Sequence, residues 1–318
     1  MTRSILIVTI ENDLHALAVR SELEKRNSAR PYLLEVDRLN AGYGLSWELS
    51  GRIAGQLRFP SGDLLDLREI DLIWWRRSRA EQRLDVKYDR EGYIDLINQD
   101  WRGSLLGALT TLHRGQWVST PGATNRASNK LWQLSVARRC GFRVPNTIVS
   151  NDPAVVRPFA KAQANGIVVK PVAGTKHELL FTRKADLSEV DDATIEICPA
   201  IYQEYIPGSE HIRLNCFGQR SYGHKISTED LDWRRNLNVP IRPTNISREV
   251  QDGVERTLSE MDLAMGIVDL KITPGGEVVW FEVNPQGQFL FLEGITKDPL
   301  LERFADFLLE KAQKQAEA

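Results

Sequence analysis

Two acidic residues flank a turn in a way that suits a hard cation. The segment IVDLKITPGGEVVWFEVNPQG carries β-rich runs on both sides of Pro274-Gly275-Gly276, the pattern of a hairpin. With a four-residue loop, Pro274–Glu277, position 269 stands directly across from position 282. Asp269 and Glu282 then share a face, and Asn284, two residues further on, joins them. Two carboxylates and an amide oxygen on one spot suit Mg²⁺, which takes one or two carboxylates beside waters and substrate phosphates. Val279, Phe281 and Val283 are expected on the opposite, core-facing side of the strand. The competing reading is a solvated face whose charges align by chance.

Two lysines point to an anion. Lys170 lies inside the apolar run Ile167–Pro171, where an ammonium is costly unless something negative pairs with it. Phosphate fits, because lysine offers a compact point charge. Lys130 sits near the start of a helix, where a surface role competes with a phosphate contact. The Ala173-Gly174-Thr175 segment after Lys170 suits a short turn over a phosphate, although it matches no P-loop. Gln203-Glu204-Tyr205-Ile206 reads equally as an adenine-binding connector or as a strand entering a turn, with Glu210 close enough to accept from ribose hydroxyls. Arg213 and Asn215 share a face of the next strand, and Arg213 suits bidentate contact with a phosphate or carboxylate.

The elements that must hold these groups follow from patterning. SILIVTI reads as a buried parallel strand. Asn12 or Asp13 caps a helix with Leu14, Leu17, Ala18 and Leu23 on one side. PYLLEVD and DLIWWRR are further strands, and Tyr93–Leu112 is helical. A second helix, capped by Thr124 or Asn125, carries the stripe Ala127, Leu131, Leu134, Ala137 and ends at Gly141. GIVVKPV, IYQEYIPG and the alternating HIRLNCFG are strands, and a last helix runs from about Pro299 to Gln313. The whole is an α/β (α+β) chain: an N-terminal α/β domain over 1–118, a small central domain over 119–205, and an antiparallel domain over 206–318 that carries the metal site.

Composition excludes several alternatives. A net charge of -2 over 318 residues lacks the basic excess of a dedicated nucleic-acid binder, although Arg76, Arg77, Arg79 and Arg83 cluster locally. Cys140, Cys198 and Cys216 match neither a disulfide framework nor a zinc site. The five histidines show no metal spacing and read as surface or satisfied residues. No stretch approaches the apolar length of a membrane span, and the N-terminus carries no secretion signal. A cytoplasmic protein is expected, with no nucleic-acid or membrane partner.

Several fragments in order, ILIVT, IWWRR, NRASNKLWQL, NTIVSNDP, VVKPVAGT, QEYIPGSEHIRL, DWRR and DLKITPGGEVVWFEVNPQGQ, resemble the ATP-grasp superfamily. Within it they resemble the microviridin-type (graspetide) peptide maturases, over nearly the whole chain. The resemblance implies ATP and Mg²⁺ as cofactors and a ribosomal precursor peptide, leader plus acidic core, as partner. It implies Lys130, Lys170 and Gly174 at the nucleotide phosphates, Gln203, Glu204, Tyr205, Ile206 and Glu210 at the adenosine, and Asp269, Glu282 and Asn284 at the metal. Arg213, Arg234 and Lys271 become the catalytic set, and Glu189, Asp191 and Asp192 candidate leader contacts. It also implies a homodimer. The competing readings are a RimK-like ligase joining an amino acid to a carboxylate, and a nucleotide-binding module without catalysis.

Overall fold

The computed structural model describes residues 2–50, 52–84, 92–173 and 182–313. Ile5, Leu6, Ile7 and Val8 are fully buried in β1 (Arg3–Thr9), as a central parallel strand requires. Asp13 caps α1 (Leu14–Lys25) by accepting from the His15 N–H at 3.2 Å. The helix buries His15, Ala16, Val19 and Leu23, so the expected stripe is out of phase, and Leu14 is 75% exposed. Next, β2 (Ala29–Glu35) pairs parallel with β1, and β3 (Gly44–Ser50), β4 (Arg52–Arg58) and β5 (Leu64–Asp66) form an antiparallel sheet not anticipated from sequence. The unit continues with β6 (Leu72–Trp75), α2 (Tyr93–Leu112) and β7 (Gln116–Val118), and the parallel order is β2-β1-β6-β7. Trp74 and Trp75 are buried in this unit.

The second unit, Gly122–Asp298, positions the candidate site. The expected single helix is broken into α3 (Pro121–Ala127) and α4 (Lys130–Arg139). The cap is neither Thr124 nor Asn125. Asn129 accepts from the Leu131 and Trp132 N–H groups at 3.0 and 3.1 Å, which makes Lys130 the first helical residue. Replacing Asn129 by alanine is expected to cost about 1 kcal/mol, read as a lower urea midpoint, with Asn129→Asp restoring most of it. Gly141, at φ +97°, ends α4 as expected, with Phe142 N–H donating to Ala137 C=O at 3.0 Å.

A four-stranded sheet follows. It contains β8 (Thr147–Ser150), β9 (Ile167–Lys170), β10 (Arg183–Ala185) and β11 (Ala200–Glu204) in the order β10-β9-β11-β8, with α5 (Pro153–Lys161) and α6 (Asp192–Glu196) between strands. Ile167 and Tyr202 face a small core with Val156, Leu187 and Ile195. Val168, Lys170 and Gln203 occupy the other face.

A five-stranded antiparallel sheet completes the unit. Its strands are β12 (Glu210–Phe217), β13 (Arg220–Ser227), β14 (Ile241–Thr244), β15 (Met265–Ile272) and β16 (Val278–Asn284), ordered β14-β13-β12-β15-β16. Before β15 comes α7 (Arg248–Glu260), and after β16 comes α8 (Leu290–Thr296). One sheet face packs Ile212, Leu214, Val268, Leu270, Trp280 and Val283 against Leu134 and Ala137 of α4 and Val254 and Leu258 of α7. The opposite face carries His211, Arg213, Asp269 and Lys271. Finally α9 (Leu300–Gln313) packs on α1, β1 and β6. It belongs to the unit ending at Pro121, not to the 206–318 domain in which the sequence placed it.

Candidate active site

A cavity of about 230 Å³ lies between the inner faces of these two sheets. Lys130, Lys170, Gln203, Glu204, Tyr205, Ile206, Arg234, Asp269, Lys271 and Glu282 line it. Ten of the residues singled out in the sequence therefore meet at one place.

The carboxylate pair arises through two compensating irregularities. The hairpin loop is shorter than expected. Thr273 N–H bonds Glu277 C=O at 2.9 Å, and Gly276 takes φ +83°, so Lys271 pairs with Val279 and Leu270 with Trp280. A bulge at Phe281 then adds one residue to β16 and restores Asp269 opposite Glu282. The bulge also changes which side chains face the cavity. Phe281 joins its lining instead of backing the acids, whereas Trp280 and Val283 enter the core.

Around the acids, charge is tightly organised. Arg213 donates through one terminal nitrogen to both oxygens of Asp269, at 2.9 and 3.0 Å, and through the other to Gln288 C=O at 3.0 Å. Its guanidinium lies 5.2 Å from the Trp233 ring centre and 5.8 Å from that of Phe291. Arg213 does not line the cavity; it orients Asp269. Burial pushes the Asp269 carboxyl up, and Arg213 opposes that shift. Asn284 is exposed, and its Oδ1 accepts from the Gln286 N–H at 3.1 Å. Among the described residues no group of three His, Cys, Asp or Glu side chains could hold a metal. A cation here would rest on Asp269 and Glu282, with further oxygens from Asn284, water or a ligand.

The cationic side is equally specific. Lys170 donates to Gln203 Oε1 at 2.8 Å, and Gln203 donates on to Thr147 Oγ1 at 2.9 Å. Burial pushes the Lys170 ammonium down to about 8, a shift opposed by Glu282 and reinforced by Lys130. Asp232 grips Arg234 at 2.8 and 2.6 Å and holds its charge on. Lys271 is only 2% exposed and lies 5.7 Å from the Tyr205 ring centre.

Other expected contacts fall elsewhere. The Glu204 carboxylate is held by Arg143 at 2.9 Å and by the Asn146 N–H at 3.1 Å, and its own N–H donates to Asn146 C=O at 2.8 Å. Glu210 forms an ion pair with Lys225 and is absent from the cavity lining. Asp191 caps α6 through the Thr194 N–H at 2.7 Å, and Asp192 pairs with Arg157 at 2.5 Å. Glu189 is exposed on the short turn before them. Gly174 lies outside the described residues. The sequence reading missed His211 and Asp232, both buried and both in the lining.

No protein-family model and no curated protein matches the chain. Solved structures do. The macrocyclase MdnC bound with precursor peptide MdnA, from Microcystis aeruginosa MRC, is 24% identical at TM-score 0.86, over 96% of this chain and 99% of that one. A Chryseobacterium gregarium RiPP-associated ATP-grasp ligase, in complex with ADP and a leader and core peptide, is 23% identical at TM-score 0.87, over 98% and 97%. The ATP-grasp ligase PsnB, complexed with a phosphomimetic variant of a minimal precursor, Mg and ADP, is 22% identical at TM-score 0.81, over 98% and 100%. The chain has the ATP-grasp fold.

Proposed function

We propose that this chain is an ATP-dependent ligase acting on Asp or Glu side chains of a ribosomal precursor peptide. It joins them to Thr or Ser hydroxyls as ω-esters, or to Lys amines as ω-amides. The observation that carries this reading is the cavity in which Lys130, Lys170 and Arg234 face the Asp269–Glu282 pair. Neighbours of the same fold crystallised with precursor peptides, and with Mg and ADP, support it.

A carboxylate is a poor acyl donor, so a leaving group must be installed. The substrate carboxylate attacks the γ-phosphorus of ATP, and the bond to the ADP oxygen breaks, giving an acyl phosphate. The hydroxyl or amine then attacks the acyl carbon, phosphate departs, and the nucleophile's proton is released. Lys130 and Lys170 neutralise charge that builds on the phosphoryl group. The Gln203–Ile206 backbone meets the adenine edge, and Arg234, anchored by Asp232, receives the substrate's acid. Asp269 and Glu282 would hold Mg²⁺, which supplies further neutralisation of the phosphates when bound. Glu189, Asp191 and Asp192, all exposed, are the acidic side chains offered to a leader segment. A homodimer working in the cytoplasm completes the proposal, and light scattering tests the dimer. In the described residues no helix is long and apolar enough to cross a membrane.

The test incubates the protein with ATP, Mg²⁺ and an acidic precursor peptide and reads the peptide's mass. Loss of one water per crosslink, absent in Glu282→Gln, supports the ligase. With free amino acids added to the mixture, a gain of one amino-acid residue (the amino acid less water), with ADP formed, supports the RimK-like alternative. ADP affinity supplies a pH check. A Lys170 folded at about 8 against an ordinary 10.5 is charged below that value and loses its proton as pH rises through it. ADP binding should therefore hold steady up to pH 8 and weaken by about tenfold per unit above it, measured by calorimetry. Affinity flat to pH 10 would exclude Lys170 as a phosphate contact.

A further inference from the structure

Within the cavity lining, β12 carries a polar group that the proposed mechanism does not use. His211 is 4% exposed, lines the cavity, and its Nε2 has no hydrogen-bond partner among the described residues. A buried polar atom without a partner costs free energy that a ligand can recover. Its place along the sheet tells which part of a ligand it meets. His211 pairs across the sheet with Lys271, and Arg213 with Asp269. The His211 position is thus two residues, or roughly 7 Å, from the acid pair in the direction of the connector. Phosphates belong beside Lys170 and Glu282, and the base belongs at Tyr205 and Ile206. A sugar lies between.

We propose that His211 Nε2 hydrogen-bonds a ribose hydroxyl of the nucleotide, the role that the sequence assigned to Glu210. This rests on the nucleotide reading of the cavity. Strand parity supports it, because Glu210 is an odd step from His211 and Arg213 and turns its carboxylate to Lys225. Burial and the neighbouring Lys271 push the imidazole down to about 4. The contact is therefore made by a neutral ring, with the Lys271 ammonium across the sheet and the Asp232 carboxylate, itself engaged by Arg234, opposing its effect. The site consequently selects for the sugar hydroxyl by a single neutral bond.

Calorimetry of ADP, 2′-deoxy-ADP and 3′-deoxy-ADP with Mg²⁺ tests this on the full chain. The wild type should bind one deoxy analogue about tenfold more weakly than ADP. His211→Ala should bind ADP about tenfold more weakly and that deoxy analogue unchanged, so that discrimination disappears. His211→Gln, which keeps a side-chain donor and acceptor, should restore part of it and guards against a folding defect. Discrimination that survives in both variants, or that is lost in Glu210→Ala instead, overturns the assignment to His211. A wild type that binds no adenine nucleotide overturns the nucleotide reading, and the assignment with it.

Discussion

Lys170→Ala should lower ATP-dependent peptide crosslinking by about 10²–10³-fold, the loss typical of removing one preorganised group that stabilises transition-state charge. Its stability effect should run the other way. The fold holds Lys170 against a neutral amide, Gln203, in surroundings that push its ammonium down to about 8. Among the described residues no carboxylate contacts it directly, and a charge so held is a liability to the unliganded protein. Removing it should leave the thermal midpoint unchanged or raised, while Gln203 keeps its bond to Thr147. The combination separates a functional lysine from a structural one: a structural lysine would lose stability and activity together. Crosslinking measured at saturating ATP and Mg²⁺ decides it, and unchanged turnover would remove Lys170 from the phosphoryl site. Lys170→Arg is not expected to rescue, because the longer planar head cannot occupy a point-charge site of this size.

Long-range parity made much of this site legible in the sequence. Lysine in an apolar strand and two acids around a Pro-Gly-Gly turn are unusual enough to mark a cavity before any fold is known. The Asp269–Glu282 pairing came out because the short loop and the Phe281 bulge cancel, and no local pattern in VVWFEVN announces the bulge. Glu210 falls outside the cavity lining for a reason that the strand itself contained. It and Arg213 are three residues apart, so one sheet face cannot present both. His211 is the residue in phase, and a lone histidine beside an isoleucine carries no spacing signal to single it out. The break at Asn129 was hidden because Thr124 and Asn125 are equally good caps by type. The phase error in α1 has a similar cause: Leu14, Leu17, Ala18 and Leu23 form one plausible stripe and Ala16, Val19 and Leu23 another that shares only Leu23, and only tertiary packing chooses. The β3–β5 sheet went unseen because β3, Trp47 and Leu49 included, is largely solvent-facing, and the alternation of β4, with Leu57 buried between exposed Gln56 and Arg58, is broken by Gly55 where an apolar side chain would mark it.

Arg213→Ala should destabilise the protein by about 3–5 kcal/mol, because it strands a buried carboxylate that the arginine now satisfies. The Arg213 side chain is 8% exposed and that of Asp269 16%, so water from the cavity replaces the arginine only in part. The two rings beside the guanidinium, Trp233 and Phe291, also lose their cation. Asp269 should then carry a carboxyl raised further than it already is. A carboxyl raised in the fold binds its proton in the native state before the unfolded chain does, so stability falls as pH rises through the folded value. The Arg213→Ala deficit should accordingly be largest near pH 7 and shrink as the pH is lowered toward the ordinary carboxylate range. Adding Asp269→Ala should recover part of the loss, since the orphaned charge goes with it. Urea unfolding of the wild type, both single variants and the double variant completes the cycle. An Arg213→Ala cost independent of pH, or strictly additive with Asp269→Ala, would mean that the arginine stabilises through its aromatic stack instead. A metal site built on Asp269 would then have no charged brace behind it.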